Sequence, residues 1–512
     1  MVKRKPTALI DGGRGLWRST LAMSVAGLLT TVLGIVRALL LPKLLDTPAD
    51  YGLLLIVSLI TGFGAYVHLG STQGIYRQIP YLRGRGADEK QLDRLRNSTY
   101  GFTGLMSLLA VVGVLFIAGP STFTSGLVYA VVISGGAFLV LLTNLTALIT
   151  NLYQADQRFN ELARFEVAFS FTSVTATLIS AALWGVVGVI VSQVTVQLLF
   201  LVLYRVRLGL PLKPRLRGED VLRVLKVGLP LTLVGFLRYG LENVDAVIVA
   251  RFIGGDANGF VKLAVTVGLF IILVPFKLGV VLNPAIAEQT GSGRLDRLRD
   301  NLLRYSELNA YLAGLVACVA ALGVTALLPV YLPRYVPALP LIYIFILRSA
   351  LCSSTTVAGN TLINLLLERK TYGRWLGVQL ALLAASLALA IWLFFQYGSP
   401  LAVVLGATAL LSLYVLLLLF FTVREFALGT RGALKLLLRV CLPLAYLGLV
   451  TWGALWLMSR LAIGFWLWRF LLALGMAVAA ALPLVVYEER RLGVLGMLFR
   501  RLFGGGRNHE SA

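Results

Sequence analysis

Charged side chains stand inside long apolar stretches of this sequence, and their spacing is the first clue to chemistry. Arg238, Glu242 and Asp245 recur at i, i+4 and i+7, which puts them on one face of a helix. Arg37, Lys262, Lys277 and Arg348 are embedded in other apolar stretches. A charge within a bilayer-spanning helix costs about 2.5–3.5 kcal/mol on insertion scales, so it normally faces a partner or a wet cavity. Together the basic residues Arg37, Arg238, Lys277 and Arg348 would line a water-filled cavity with positive charge. Such a cavity suits an anionic headgroup such as a diphosphate. Plainer roles stay open. Arg238 and Glu242 can neutralise each other across one helix turn. Arg37 and Lys262 lie toward one end of their stretches and can snorkel to the interface. Glu242 and Asp245 could hold a coupling Na⁺ or proton, or serve only as ion-pair partners.

Small and polar residues form further stripes. Thr20, Met23, Gly27, Thr30, Gly34 and Arg37 share one face, as do Thr61, Gly64, His68 and Thr72. Thr143, Thr150 and Gln154 make a third stripe; Ser349, Ser353, Thr356 and Asn360 flank Arg348. Hydroxyl stripes commonly join helices without touching a ligand, so they weigh less than the charges. Catalytic patterns are missing. The sequence has no H-E-x-x-H, no paired-cysteine motif and no Walker A motif; the glycines Gly504–Gly506 lack a following Lys-Ser/Thr. The expectation is a non-enzyme with no cofactor and no metal site. Cys318, Cys352 and Cys441 each sit in an apolar stretch and read as buried small side chains.

The elements that must position these residues follow from composition. Of 512 residues 58% are hydrophobic and 13% charged, against about 45–50% and about 25% for a soluble domain. The apolar residues come in blocks of about 20, the length that crosses a hydrocarbon core. A soluble enzyme, a disordered chain and a disulfide-stapled domain are all excluded. We count fourteen candidate spans: 19–43, 51–76, 99–119, 124–150, 162–184, 185–205, 224–252, 258–286, 303–330, 338–366, 374–396, 399–422, 436–458 and 463–487. Spans five and six nearly touch at Trp184–Gly188, as do eleven and twelve at Tyr397–Pro400.

A net charge of +23 would suggest nucleic acid in a soluble protein. Here the basic residues collect in alternate breaks, so nucleic acid is not expected. Arg77 to Arg96, Arg205 to Lys226 and Arg294 to Arg304 are rich in Arg and Lys, as is the tail with Arg490, Arg491, Arg500, Arg501 and Arg507. The opposite breaks, such as Leu45–Asp50 and Gly254–Gly259, carry almost none. By the positive-inside rule both termini are cytoplasmic, in a multi-pass protein of the cell membrane. The sequon at Asn97 then lies inside and carries no glycan. An internal repeat is also visible. "ALLLPKLLDTPADYGLLLIVSLI" starts at Ala38, and "AVIVARFIGGDANGFVKLAVTVGLF" starts at Ala246. Both run from a helix end through a basic residue and a turn into a new apolar span. Repeats of this kind typify secondary transporters, with the ligand site between the halves.

The segments "GIVRALLLPKLLDTPADYGLL" (Gly34–Leu54) and "HLGSTQGIYRQIPYLRGRGADEKQLDRL" (His68–Leu95) resemble the opening hairpin of Wzx-type polysaccharide repeat-unit flippases. These flippases belong to the multidrug/oligosaccharidyl-lipid/polysaccharide exporter superfamily. The family pattern has an Arg in the first helix, a Leu-Gly-Pro-x-x-Tyr-Gly turn and an Arg-x-Ile-Pro segment. Tyr51–Gly52 and Arg77–Pro80 match it; Asp46 replaces the usual Gly, and Pro48 is shifted by one position. "NVDAVIVARFIGGDANGF" (Asn243–Phe260) echoes the pattern in the second half, with Asp245 at the typical acidic position. The resemblance implies an all-α polytopic fold of two six-helix bundles facing each other as a V, at 1–208 and 209–423. A helix pair at 424–488 and a basic cytoplasmic tail at 489–512 would complete it. It implies a monomer that flips a polyprenyl-diphosphate-linked oligosaccharide to the outer leaflet by alternating access, its polyprenyl tail left in the membrane lipids. Arg37 is the residue that carries over best. Three alternatives stand beside this one. A drug/cation antiporter of the same superfamily would need acids to dominate the cavity. A polytopic glycan polymerase or ligase would usually display a large outer loop. A scaffold protein would not need expensive buried charges.

Overall fold

The structure, a computed structural model, describes residues 14–119, 126–209, 213–291, 295–356, 371–426 and 429–460, with isolated positions between and beyond. Every regular element among them is helical. The first six helices are α1 (Arg14–Leu44), α2 (Pro48–Gly64), α3 (Ser71–Gly84), α4 (Glu89–Ala118), α5 (Leu127–Ala155) and α6 (Phe159–Leu208). The next six are α7 (Gly218–Ile248), α8 (Gly255–Gly291), α9 (Leu295–Tyr331), α10 (Leu339–Ser354), α11 (Tyr372–Tyr397) and α12 (Pro400–Glu425). A π-turn (Val249–Ile253) ends α7, and a 3₁₀ turn (Pro333–Ala338) precedes α10. α13 (Gly429–Arg460) packs along α9. Among the described residues ten helices are long and apolar enough to cross a membrane. The expected span at 463–487, apart from isolated positions such as Trp468 and Leu471, and the tail at 489–512 lie outside the described residues.

Burial is inverted relative to a soluble protein. Phe116, Ile117, Leu28 and Trp452 are exposed, while Asp245, Arg348, His68, Asn144 and Gln379 are buried. Apolar side chains facing outward and polar ones inward is the pattern that lipid imposes. Cys318 and Cys352 are buried as expected, but Cys441 is exposed. Its thiol lies on an apolar outer face of α13, where lipid rather than protein would cover it.

One helix boundary differs from the sequence expectation, and the junction of spans five and six falls where it was expected. Span two is not one helix: α2 and α3 are separated by a turn at Ala65–Gly70. Leu69 and Gly70 have φ of 52° and 89°, which ends a right-handed helix. The turn is stable in an apolar setting because side chains satisfy its backbone. Asn144 donates to the Gly64 carbonyl at 2.9 Å, and the His68 Nδ1 accepts from the Gly70 N–H at 3.0 Å. Spans five and six form one 50-residue run, α6, broken at Trp184 and Gly185. Gly185 has φ 57° and ψ −139°, and a Cβ on Gly188 would lie 2.1 Å from the Ser180 carbonyl oxygen. Eight residues of straight helix would separate these groups by about 12 Å, so the chain doubles back here.

The first six helices pack among themselves, α1 on α6, α4 on α5 and α5 on α6. The next six do likewise, α8 on α10, α9 on α10 and α7 on α11. Between the sets, α2 lies along α8 and α3 along α7. Both seams depend on glycine. A Cβ at Gly228 would sit 1.9 Å from the Gly70 carbonyl oxygen, and one at Gly259 would sit 1.9 Å from that of Pro48. Backbones therefore meet directly at both ends of the interface. The first contact lies toward the end that carries the basic loops. The second lies toward the opposite end, where Ala49 N–H donates to Asp256 at 3.0 Å and Arg334 donates to the Asp46 carbonyl. The two hairpins that resemble each other in sequence are the ones that meet here.

Candidate functional site

Between these two contacts lies a half-enclosed cavity of about 720 Å³, within the size range of about 300–1,000 Å³ typical of small-molecule sites. α1, α2, α5 and α6 form one side, and α7, α8 and α10 the other. The first side brings mostly uncharged polar groups: Ser58, Thr61, Thr143, Ser173, Gln193 and Gln197. The charged lining residues are Arg37, Glu242, Lys262 and Arg348.

The acids are already partnered. Glu242 Oε1 accepts from Arg238 Nε at 2.7 Å across one turn of α7, both side chains about a quarter exposed. Asp245 is fully buried, and its Oδ2 accepts from an Arg348 terminal nitrogen at 2.6 Å. The second terminal nitrogen of Arg348 donates to the Glu242 carbonyl. Its guanidinium also lies 5.0 Å from the Phe345 ring centroid. The other Asp245 oxygen accepts from the Ala246 N–H at 2.9 Å. Arg348 thus ties α10 to the last turns of α7 and leaves no buried charge unbalanced there.

The other two lining cations, one on each side of the cavity, are not balanced. Arg37 of α1 lines the cavity and makes no ion pair or hydrogen bond among the described residues. Lys262 of α8 lines it too; its Nζ donates to the Ser58 Oγ of α2 at 2.6 Å. Nearby, Tyr51 OH and Thr266 Oγ1 are 3.3 Å apart, and Tyr239 OH points at the Ser58 carbonyl at 3.5 Å. Two ion pairs cancel, and two cations remain in one half-enclosed space. That arrangement attracts an anion of about two charges. Among the described residues, no group of three or more His, Cys, Asp and Glu comes together as a metal site would require.

The structure therefore separates the residues singled out by sequence. Arg37 and Arg348 line the cavity; Arg238 acts on it through Glu242. Glu242 and Asp245 are both engaged by arginines. The side chain of Lys277 and the whole of Asn360 lie outside the described residues. Gly34, Thr61, Thr143 and Ser349 line the cavity, but His68 and Thr72 are buried at the α2–α3 turn. Lys262 turns inward instead of reaching the interface, and Ser58 and Tyr239 were not singled out at all. Ser58 sits three residues before Thr61, so the helical period already put it on the same face. Arg96, read as a loop cation, is 2% exposed and pairs with Asp93 and Asp156 at 2.9 and 3.0 Å.

A family model described as polysaccharide biosynthesis protein matches residues 40–332. Sequence comparison with curated proteins gives no match. Among solved structures, the lipid II flippase MurJ in its inward closed conformation superposes with a TM-score of 0.62 at 13% identity, covering 92% of this chain and 99% of that one. An outward-facing multidrug resistance MATE family transporter of the MOP superfamily gives 0.54 at 15% identity, covering 82% and 99%. A MOP superfamily transporter from Pyrococcus furiosus gives 0.51 at 14% identity, again covering 82% and 99%. At such identities the likeness is one of fold.

Proposed function

The chain belongs to the polysaccharide biosynthesis protein family, and from that premise we propose that it moves a polyprenyl-diphosphate-linked oligosaccharide from the cytoplasmic to the outer leaflet by alternating access. One observation carries this reading. Arg37 and Lys262 face the cavity without an acidic partner, while the nearby acids are neutralised by Arg238 and Arg348. The net charge left over matches a diphosphate in sign and size. The uncharged Thr, Ser and Gln side chains of α2, α5 and α6 offer hydrogen bonds to sugar hydroxyls. The polyprenyl tail stays in lipid.

Around this core we read fourteen spans, two six-helix bundles related by the internal repeat, and a final helix pair. The basic loops put both termini in the cytoplasm, and the chain acts as a monomer. Glu242 and Asp245 serve as counter-charges in this scheme; a coupling Na⁺ or proton would have to displace a guanidinium first. The same pairing argues against a drug/cation antiporter, whose substrates need free acids.

A binding measurement separates the two. Purified protein in nanodiscs is titrated with a polyprenyl diphosphate and, separately, with an organic cation such as tetraphenylphosphonium. Saturable binding of the diphosphate alone is expected. Saturable binding of the cation alone would hand the chain to the antiporter class.

A further inference from the structure

The bond between Lys262 and Ser58 does more than line the cavity. It joins α8 to α2, and so one set of six helices to the other. At 2.6 Å it is shorter than the neighbouring side-chain links inside the cavity, Tyr51 to Thr266 at 3.3 Å and Tyr239 to the Ser58 carbonyl at 3.5 Å. Its donor carries a full charge, yet its acceptor is a neutral hydroxyl. The carboxylates that could have taken that charge are held by Arg238 and Arg348.

We propose that Lys262 and Ser58 form a latch that holds the α2–α8 seam shut in the empty protein and that an anionic headgroup releases. This rests on the diphosphate reading of the same cavity. Arg37 lines the same cavity as Lys262, so two cations face one space. An anion entering between the two cations offers Lys262 a charged acceptor in place of a neutral one. Charge-assisted bonds between ions are the stronger kind. The lysine stem is flexible and its three donors rotate, so the ammonium can turn from Ser58 without moving α8. Once it turns, the polar links left across the seam are the longer hydroxyl contacts and the ties at its tip, beside its apolar packing and the backbone contact at Gly52 and Gly259.

The device satisfies the condition any ligand-driven switch must meet. A ligand shifts a two-state equilibrium only as far as it binds the two states differently. Here Lys262 is available to the anion in the open state and is shared with Ser58 in the closed one. Binding and opening are therefore linked through one side chain. An empty cavity stays latched, which limits opening without cargo.

The test measures the separation of the two helix sets at the end that carries the α1–α2 turn. Spin labels go on the exposed positions Leu127 and Tyr397, with the three native cysteines replaced, in nanodiscs. Wild type, Ser58→Ala and Lys262→Gln are compared without ligand, with farnesyl diphosphate and with farnesol. In the wild type a longer distance should appear with farnesyl diphosphate and not with farnesol. Ser58→Ala should raise the long-distance population without ligand, on the order of tenfold, as loss of one charged hydrogen bond implies. Lys262→Gln should no longer respond to farnesyl diphosphate. A ligand-free Ser58→Ala distribution identical to wild type overturns the latch, as does an undiminished response in Lys262→Gln. Failure of farnesyl diphosphate to bind the wild type would instead count against the diphosphate reading. The ligand-free Ser58→Ala arm decides the latch in that case too.

Discussion

Removing Arg348 is the sharpest structural perturbation the fold offers. Its guanidinium is 4% exposed and pairs with Asp245, which is 0% exposed, at 2.6 Å. With charge centres about 4 Å apart, the attraction is about 4 kcal/mol at an effective dielectric of about 20. Breaking one side of a buried pair typically costs about 3–5 kcal/mol, because the surviving charge is stranded. Arg348→Met should therefore destabilise the protein by about 3–5 kcal/mol, from these two routes together. The stranded group is Asp245, so adding Asp245→Asn should recover more than half of the loss. Asp245→Asn alone strands Arg348 instead and should also be costly. Arg348→Lys keeps the charge but loses the fork that reaches both Asp245 and the Glu242 carbonyl, so it should fall between. Unfolding of the four proteins in one detergent gives the coupling energy of the pair. Losses that simply add in the double variant would refute the argument, since independent sites do not share a stranded charge.

Two further outcomes follow from the cavity and its seams. Arg238→Gln should unmask Glu242 beside the anion site and weaken diphosphate binding on the order of tenfold, the effect of one charge at roughly 8–10 Å in an effective dielectric of about 20; Arg238→Gln with Glu242→Gln should restore it, and calorimetric titration reads both. Gly228→Val should wedge the α3–α7 seam open, because its Cβ would fall 1.9 Å from the Gly70 carbonyl oxygen. Cys352, which lines the cavity, should then react faster with a water-soluble thiol reagent than in the wild type, and unchanged labelling would count against that seam as the barrier.

Some of this was legible in the sequence, for local reasons. Apolar blocks mark the spans because bilayer thickness fixes their length. The Arg238–Glu242 pair was readable because both residues lie on one turn of one helix. The break in α6 fell near the predicted junction, where Gly185 accepts a left-handed backbone. Long-range relations were not readable. Asp245 and Arg348 are 103 residues apart, and Lys262 and Ser58 are 204 apart. No helical period connects such partners. Lys262 read as an interface residue because its depth in the span was visible and its partner was not. The α2–α3 turn was missed for a related reason. Thr61, Gly64, His68 and Thr72 keep one helical period through the turn, and the donor that satisfies the Gly64 carbonyl is Asn144, on α5.

The central claim is that two unbalanced cations, Arg37 and Lys262, receive the diphosphate of a lipid-linked oligosaccharide. The most direct test is flipping in proteoliposomes. A fluorescent polyprenyl-diphosphate oligosaccharide is quenched from outside, and wild type is compared with Arg37→Ala, Lys262→Ala and the double variant. Protein-dependent flipping that falls in each single variant and vanishes in the double is the expected result. Flipping that proceeds at the wild-type rate in a folded double variant would contradict the account.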